Sequence, residues 1–507
     1  MKKILLSASF LMLSATAFTV AAQDIDITTH IPAKDNAVYA AKDGFTCENL
    51  WIFDRFHDLI PVEGEEAPAV ASYYELSPIC SQQSRTATTD DENVYVIVNG
   101  ASGAGTDGGY GQAIIYAYDL MTGAFVKQIP LTLNGAAYEG QLAANTIGFD
   151  SYGHMFVAPY IGNSDGSGAL NVYLVDKETG ALALAGELSC MGGIGRIDYV
   201  DVVGDLTGVE ARCDLMAASS SQTMADKTTV GGSNVFWWAL PKGATTWQGG
   251  FSTGLSWLEV KGFYPESMTN FGNASTATIV RSAYNETDGV QLFYAEGNNT
   301  LATLYGTDGS IIDSFGSVTD ENVVLPNAGT NGLHEMAIGD QKFIVYSEGQ
   351  YDGAHSCQAI ITTVDENYSY PSIKPLWTVP ETGLGQTTDG GTRIHCITSV
   401  ALPEDANGRE ARLVLTFKCY NGMAVYRIAE EGYGSVEENF VANADIRVNG
   451  DVIAVSETAE SIEVYNVAGQ KVAQVENASE IAAPATGLYI VKAVVEGAPV
   501  VKKVIVK

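Results

Sequence analysis

The chain predicts an all-β fold, on three observations. Helical periodicity is nearly absent after residue 22. Short runs of about four to eight apolar or β-branched residues recur instead, bounded by Gly, Asp and Asn. Gly (53 residues) and Tyr (25 residues) are abundant, a mixture that suits short strands joined by tight turns. The clearest runs are 94–98, 113–118, 155–158, 172–175, 291–294, 342–346 and 413–417.

The runs repeat in units. Asp119-Leu120-Met121-Thr122-Gly123 and Asp176-Lys177-Glu178-Thr179-Gly180 share the pattern D-x-x-T-G after a strand. Asp accepts local backbone N–H bonds and Gly supplies positive φ, so each reads as a hairpin turn. Thr307-Asp308-Gly309-Ser310 is a worn copy. Units open near Arg85, Asn145, Arg196, Ala274, Gly332 and Arg393. Steps of roughly 50 to 80 residues fit four-stranded blades with some long loops. The last unit stops after 424–428, one strand short, and residues 50–54 can supply that strand from the other end. Such closure removes an open sheet edge. The pattern resembles β-propellers in general. It predicts six blades, with seven as the alternative, within a domain spanning residues 23–435. An array of β-sandwiches is the competing architecture.

The N-terminus reads as a cleavable export signal over residues 1–22. Lys2 and Lys3 precede an apolar run, and Val20-Ala21-Ala22 places small residues before Gln23. Ser7, Ser9, Ser14, Thr16 and Thr19 dilute the run below what a membrane span needs. No later stretch is apolar for long enough, so the mature chain is expected to lack a transmembrane segment. The formal net charge of −33 repels nucleic acid and anionic lipid. Charged residues are only 17% and hydrophobic residues 46%, so the acidity does not imply disorder. Seven Cys in an exported chain allow disulfides, with Cys47–Cys80 and Cys190–Cys213 as local pairs and at least one thiol left over.

From about residue 441 the texture changes to short Ala- and Val-rich strands, with Lys gathered at the end. Ile462-Glu463-Val464-Tyr465-Asn466-Val467-Ala468-Gly469-Gln470-Lys471-Val472 forms a strand, a turn and a strand. Gly487-Leu488-Tyr489-Ile490-Val491-Lys492 alternates like a two-faced strand, and Lys502-Lys503-Val504-Ile505-Val506-Lys507 is a basic final strand. These segments resemble the type A C-terminal sorting domain of the type IX secretion system. The resemblance covers residues 440–507 and rests on Tyr465, Asn466, Gly469, Gly487, Tyr489 and Lys503. It implies a small β-sandwich, the export machinery as partner, and delivery through the periplasm to the outer surface of a Bacteroidetes-type cell. The Pro-Asn-Pro-like start common in that family is missing around Asp445 to Gly450.

Enzyme motifs fail on their surroundings. Gly103 to Gly108 matches G-x-G-x-x-G, but no helix follows to hold a pyrophosphate. Gly250 to Gly254 matches G-x-S-x-G without the strand–elbow–helix that would activate Ser252. His334-Glu335 begins a zinc motif that Ile338 breaks. Gly204-Asp205-Leu206-Thr207-Gly208 hints at a calcium loop, yet Val209 and Ala211 offer no ligands, so a bound calcium has no assigned site and no other cofactor is expected. Four of the six Trp lie between Trp237 and Trp257, a spacing that suits packing between blades more than sugar stacking.

One pattern remains. Arg85, Arg196 and Arg393 each open a unit just before an inner strand, and His334 holds the matching place in a fourth. Inner strands line a propeller's channel, so these side chains are expected to ring one mouth and attract an anionic ligand such as a carboxylate sugar. The function expected is a secreted or surface-attached propeller that binds glycan or protein without catalysis. A polysaccharide hydrolase or lyase, and a structural or adhesive surface component, are the alternatives. N-terminal sequencing of secreted protein is expected to begin at Gln23; recovery of intact Met1 would remove the export signal from this account.

Overall fold

Asp-Gly turns and apolar runs fold the chain into antiparallel hairpins. In the computed structural model, residues 37–54, 84–99, 111–139, 143–160, 169–189, 196–220, 222–223, 229–230, 234–249, 273–298, 300–307, 310–314, 330–348, 358–366, 372–381, 383–384, 395–419, 421–434, 446–450, 452–466, 471–495 and 498–506 are described. The N-terminal signal, the G-x-G-x-x-G and G-x-S-x-G segments and Arg393 lie outside them. The chain divides into two units, Met1–Glu431 and Gly432–Lys507. Among the described residues, no helix is long and apolar enough to cross a membrane.

The described strands of the first unit build six sheets of four or more strands. The first runs through Ser84–Thr89, Asn93–Val98, Ile114–Asp119 and Phe125–Pro130. The second uses Thr146–Phe149, Met155–Ala158, Ala169–Val175 and Ala181–Ser189, extended by Thr132–Leu133 and Ala136–Ala137. In the third, Arg196–Ile197 and Asp201–Gly204 both pair with Cys213–Ser220, followed by Asn234–Leu240 and Gln248–Gly249. Asn273–Ile279, Leu292–Asn298, Thr300–Gly306 and Ile311–Ser314 form the fourth. The fifth holds Thr330–Ile338, Gln341–Glu348, Ala359–Val364 and Lys374–Val379. The sixth takes His395–Ala401, Ala411–Lys418 and Gly422–Glu430, then Phe45–Asp54 from the far end of the unit. The first strands thus begin close to where the sequence spacing opens its units.

Apolar faces of neighbouring sheets meet in six clusters, one for each successive pair. Tyr95 and Ile97 of the first sheet meet Ile147 and Val157 of the second. Trp51 and Leu415 of the sixth sheet meet Val94 and Val96 of the first, which closes the circuit. Polar bonds cross the same junctions. Thr86 Oγ1 donates to Asn145 O and accepts from Ile147 N, both at 2.9 Å. Gly204 N donates to Ser151 Oγ at 3.0 Å, and Tyr294 OH donates to Glu335 Oε1 at 2.8 Å. His334 Nε2 lies 2.8 Å from Ser399 Oγ, and the Cys419 thiol donates to Ser84 O.

Turn chemistry follows the residue pattern. Asp119 Oδ1 accepts from Met121 N, Thr122 N and Thr122 Oγ1, and Gly123 takes φ 68°. Asp176 Oδ1 accepts from Glu178 N and Thr179 N, with Gly180 at φ 72°. A Cβ at Gly180 would lie 2.1 Å from Pro130 O, so the second turn needs Gly for space as well as for φ.

The expected Cys190–Cys213 disulfide does not form: Cys213 is a buried thiol among Leu215, Ala217 and Val202. Its strand carries the side chain into the core between the second and third sheets, where it packs as a small hydrophobe. Cys190 lies outside the described residues. Cys47 is buried with the core of the fifth and sixth sheets, and Cys80 is likewise outside the described residues. The Trp cluster packs. Trp238 stacks on Phe236 with ring centroids 5.4 Å apart, and Trp237 Nε1 donates to Asp214 Oδ1.

The second unit holds Ile446–Asn449, Val452–Asn466, Lys471–Ala482, Gly487–Val495 and Ala498–Val506 in one hydrogen-bonded antiparallel sheet. The long Val452–Asn466 strand has a register break between Ala454 and Ala459, with Ser456, Glu457 and Thr458 exposed. Its first part pairs with Ile446–Asn449 and its last part with Gly487–Val495, so one strand serves both parts of the sheet. Ile453, Ile462, Val464, Val491 and Val504 form the core.

Trp51 is the test of closure. It is 1% exposed and its Nε1 donates to Leu120 O at 2.9 Å. Trp51→Ala is expected to cost ~3–5 kcal/mol in urea unfolding, through a cavity and an orphaned carbonyl. Ile311→Ala, at a side chain 59% exposed, is expected to change stability by less than ~0.5 kcal/mol.

Candidate functional site

The first strands of all six sheets surround one cavity of about 280 Å³. Thr88 and Thr89, Ile147, Val202, Thr276 and Thr278, Leu333, and Ile397 and Thr398 supply its wall. The Tyr199 ring also lines it. That side chain comes from the third sheet but packs against the apolar cluster of the first and sixth, so it reaches across the centre.

Among the described residues, three carboxyl groups border the cavity: Asp150, Asp201 and Glu296. A carboxylate has about four acceptor sites, and for two of these residues all are taken. Asp201 Oδ2 accepts from Ile279 N (2.6 Å) and Arg281 Nη1 (2.5 Å), while Oδ1 accepts from Val202 N (3.1 Å) and Arg281 Nη2. Asp150 Oδ1 accepts from Tyr152 N and His154 N, and Oδ2 accepts from Leu206 N and lies 2.9 Å from His154 Nδ1.

Glu296 is different. It is fully buried, and among the described residues neither carboxyl oxygen has a hydrogen-bond partner. Burial pushes its acid up to about 7, opposed by the Thr330 and Thr276 hydroxyls and the Gly332 N–H, which face it without completing a hydrogen bond. An uncharged acid is the form such a site favours.

Asp150, His154 and Asp205 gather ligand-type atoms within 4.8 Å of one another. Asp205 belongs to the segment that hinted at a calcium loop. There its Oδ1 accepts from Thr207 N and Oγ1, its Oδ2 accepts from Glu210 N, and Gly208 takes φ 67°. The loop is therefore another Asp-Gly turn. With Asp150 it ties the second sheet to the third, and backbone N–H groups occupy most of the lone pairs a cation would use.

The residues expected to ring the channel mouth fall in different places relative to this cavity. Arg85 lies half-buried on Ser84–Thr89 but is not part of the wall. Arg196 starts its short strand, and Arg393 is outside the described residues. His334 does line the cavity, but burial, with Arg281 and Arg412 nearby, lowers its pKa to about 3, so it is neutral. The cation in the wall is Arg281, which follows the inner strand Asn273–Ile279 instead of preceding it. Its side chain is 47% exposed, and Asp201 keeps it charged despite the burial that opposes charge. Spacing alone could not find Arg281, because it opens no unit. The sequence signal for Glu296 is an acid directly after the apolar run Leu292-Phe293-Tyr294-Ala295.

In the second unit, Tyr465 OH donates to Glu463 Oε2 at 2.7 Å, and Lys471 Nζ donates to Glu463 Oε1 at 2.8 Å. Asn466 sits opposite Tyr489, and the Tyr489 ring lies over Gly487, about 3.4 Å from where a Cβ would be. Lys503 pairs with Ile490 on the last two strands, and Gly469 is outside the described residues.

No family model matches the chain, and no curated protein matches it. Among solved structures, it is similar to a DUF4623 family protein from Bacteroides eggerthii, with 11% identity over 78% of each chain and a TM-score of 0.43. It is also similar to Sqt1 of Saccharomyces cerevisiae, with 12% identity over 83% of this chain and 96% of that one, TM-score 0.32. A GH43_1 enzyme from Xanthomonas citri follows, with 10% identity over 68% of this chain and 86% of that one, TM-score 0.31.

Glu296 gives a pH test. The folded state keeps a proton that the unfolded chain releases around its ordinary value of 4.5, so stability is expected to fall as pH rises from 4.5 to about 7. Glu296→Gln removes this titration. It is expected to gain on the order of 2–3 kcal/mol over wild type at pH 8 relative to pH 4, read by urea unfolding at both pH values. An equal difference at both would mean that burial leaves the Glu296 carboxyl at its ordinary value.

Proposed function

We propose that the first unit is a six-bladed β-propeller that binds a glycan in its central cavity without catalysis. We further propose that the chain is secreted or displayed at the outer surface. Six sheets, six shared cores and a strand from the opposite end that completes the last sheet support the architecture.

The carboxyl inventory carries the functional reading. Hydrolysis of a glycosidic bond calls for two carboxyl groups, one to give a proton and one to attack or activate water. Asp150 and Asp201 have their lone pairs committed, which leaves Glu296 as the one cavity acid with acceptors to spare among the described residues. Threonine hydroxyls and an uncharged His334 suit a polyhydroxylated ligand. A volume of about 280 Å³ lies at the small end for ligand pockets, which fits a sugar unit better than a long chain.

The export route rests on the two ends. Lys2, Lys3 and Val20-Ala21-Ala22 supply the first address, and the Tyr465–Gly469, 487–492 and 502–507 segments the second, with the export machinery as its partner. A surface protein in place of a glycan is the other ligand class.

The test is a glycan array with parallel turnover assays on the full mature chain. Binding without product is expected. Release of sugar that Glu296→Gln abolishes would overturn the non-catalytic reading. For the route, a reporter fused to residues 440–507 is expected at the outer surface of a type IX-competent host. Retention in the periplasm would remove the second address.

A further inference from the structure

We propose that the cavity reads a carboxylate on its sugar ligand, a uronic acid type of group, through the open edge of Arg281. The inference rests on the glycan reading above and specifies its ligand class.

A guanidinium has five N–H donors in a planar fork. Three of those on Arg281 are used within the protein. Nη1 donates to Asp201 Oδ2 and to Ile279 O (2.7 Å), and Nη2 donates once, to Asp201 Oδ1. The donors left are Nε–H and the second Nη2–H. They lie on one edge of the fork and point the same way, the spacing that two oxygens of a carboxylate match. Among the described residues, neither has an acceptor.

The edge is both reachable and held. Arg281 is 47% exposed and lines the cavity. Asp201 fixes the guanidinium plane end-on, and is itself fixed by Ile279 N and Val202 N. Little side-chain freedom then remains to be lost on binding. The other donors in the wall carry no positive charge: His334 is neutral, and the rest are hydroxyls, the Cys396 thiol and the Glu296 acid. In a chain of net charge −33, the open fork in this wall is the feature that favours an anion.

The experiment is calorimetry on the full mature chain with three matched probe pairs: glucose and glucuronate, galactose and galacturonate, mannose and mannuronate. In at least one pair the uronate is expected to bind at least about tenfold tighter. Arg281→Lys keeps a positive charge beside Asp201 but removes the fork, and is expected to bring that uronate down to the level of its neutral partner. Equal affinity within every pair, or a preference that survives in Arg281→Lys, would overturn the carboxylate inference while leaving the sugar reading standing. No binding of any probe would overturn the sugar reading and this inference together. The wild-type comparison within each pair decides the matter even if the variant folds poorly.

Discussion

The antiparallel pairing of Phe45–Asp54 with Gly422–Glu430 is the contact on which the first unit depends. Without it, the sixth sheet would keep three strands and an unpaired edge, and the cluster it shares with the first sheet would lose Trp51 and Phe53. The pairing runs from Phe45 opposite Glu430 to Asp54 opposite Gly422, with one register shift near Asn49. Nearly the whole unit lies between the partners, so the entropy of closing that long loop must be offset by burial along every sheet junction. This is why the six cores matter together: each one holds its neighbours in the position that lets the ends meet.

The same closure creates the cavity and sets its chemistry. Six first strands converge, and their polar side chains have little water to turn to. Some are satisfied across a junction, as Thr86 is with the second sheet and His334 with Ser399. Asp201 illustrates how structure and site share one group. It reaches from the third sheet to Ile279 N of the fourth, and in doing so fixes Arg281. Glu296 stands apart as a buried acid with no completed bond among the described residues, and burial pushes its pKa up to about 7, so it is uncharged on the acid side of neutrality.

Much of the fold was legible along the chain. Strands such as 94–98 and 413–417 are self-reporting, because burial on both faces demands apolar runs and turns demand Asp and Gly. The unit openings near Arg85, Asn145 and Ala274 fall within a few residues of the observed first strands. The site was legible only in outline. Arg85 sits on the right strand but outside the cavity wall: the register shift between Ser84 and Ala87 separates it from Ala87, Thr88 and Thr89, which line the cavity. Cys213 looked like half of a disulfide because the neighbouring Cys190 was visible, while the core that receives it was not.

The sequence by itself determined the all-β class, the unit spacing and the turn chemistry, because each depends on residues close together in the chain. Tertiary structure alone decided which side chains share the cavity. Asp201 and Arg281 are 80 residues apart, and Tyr199 reaches a cluster built from the first and sixth sheets. Whether a charge is spent on a neighbour or left open to a ligand depends on such distant pairings, and no local pattern encodes them.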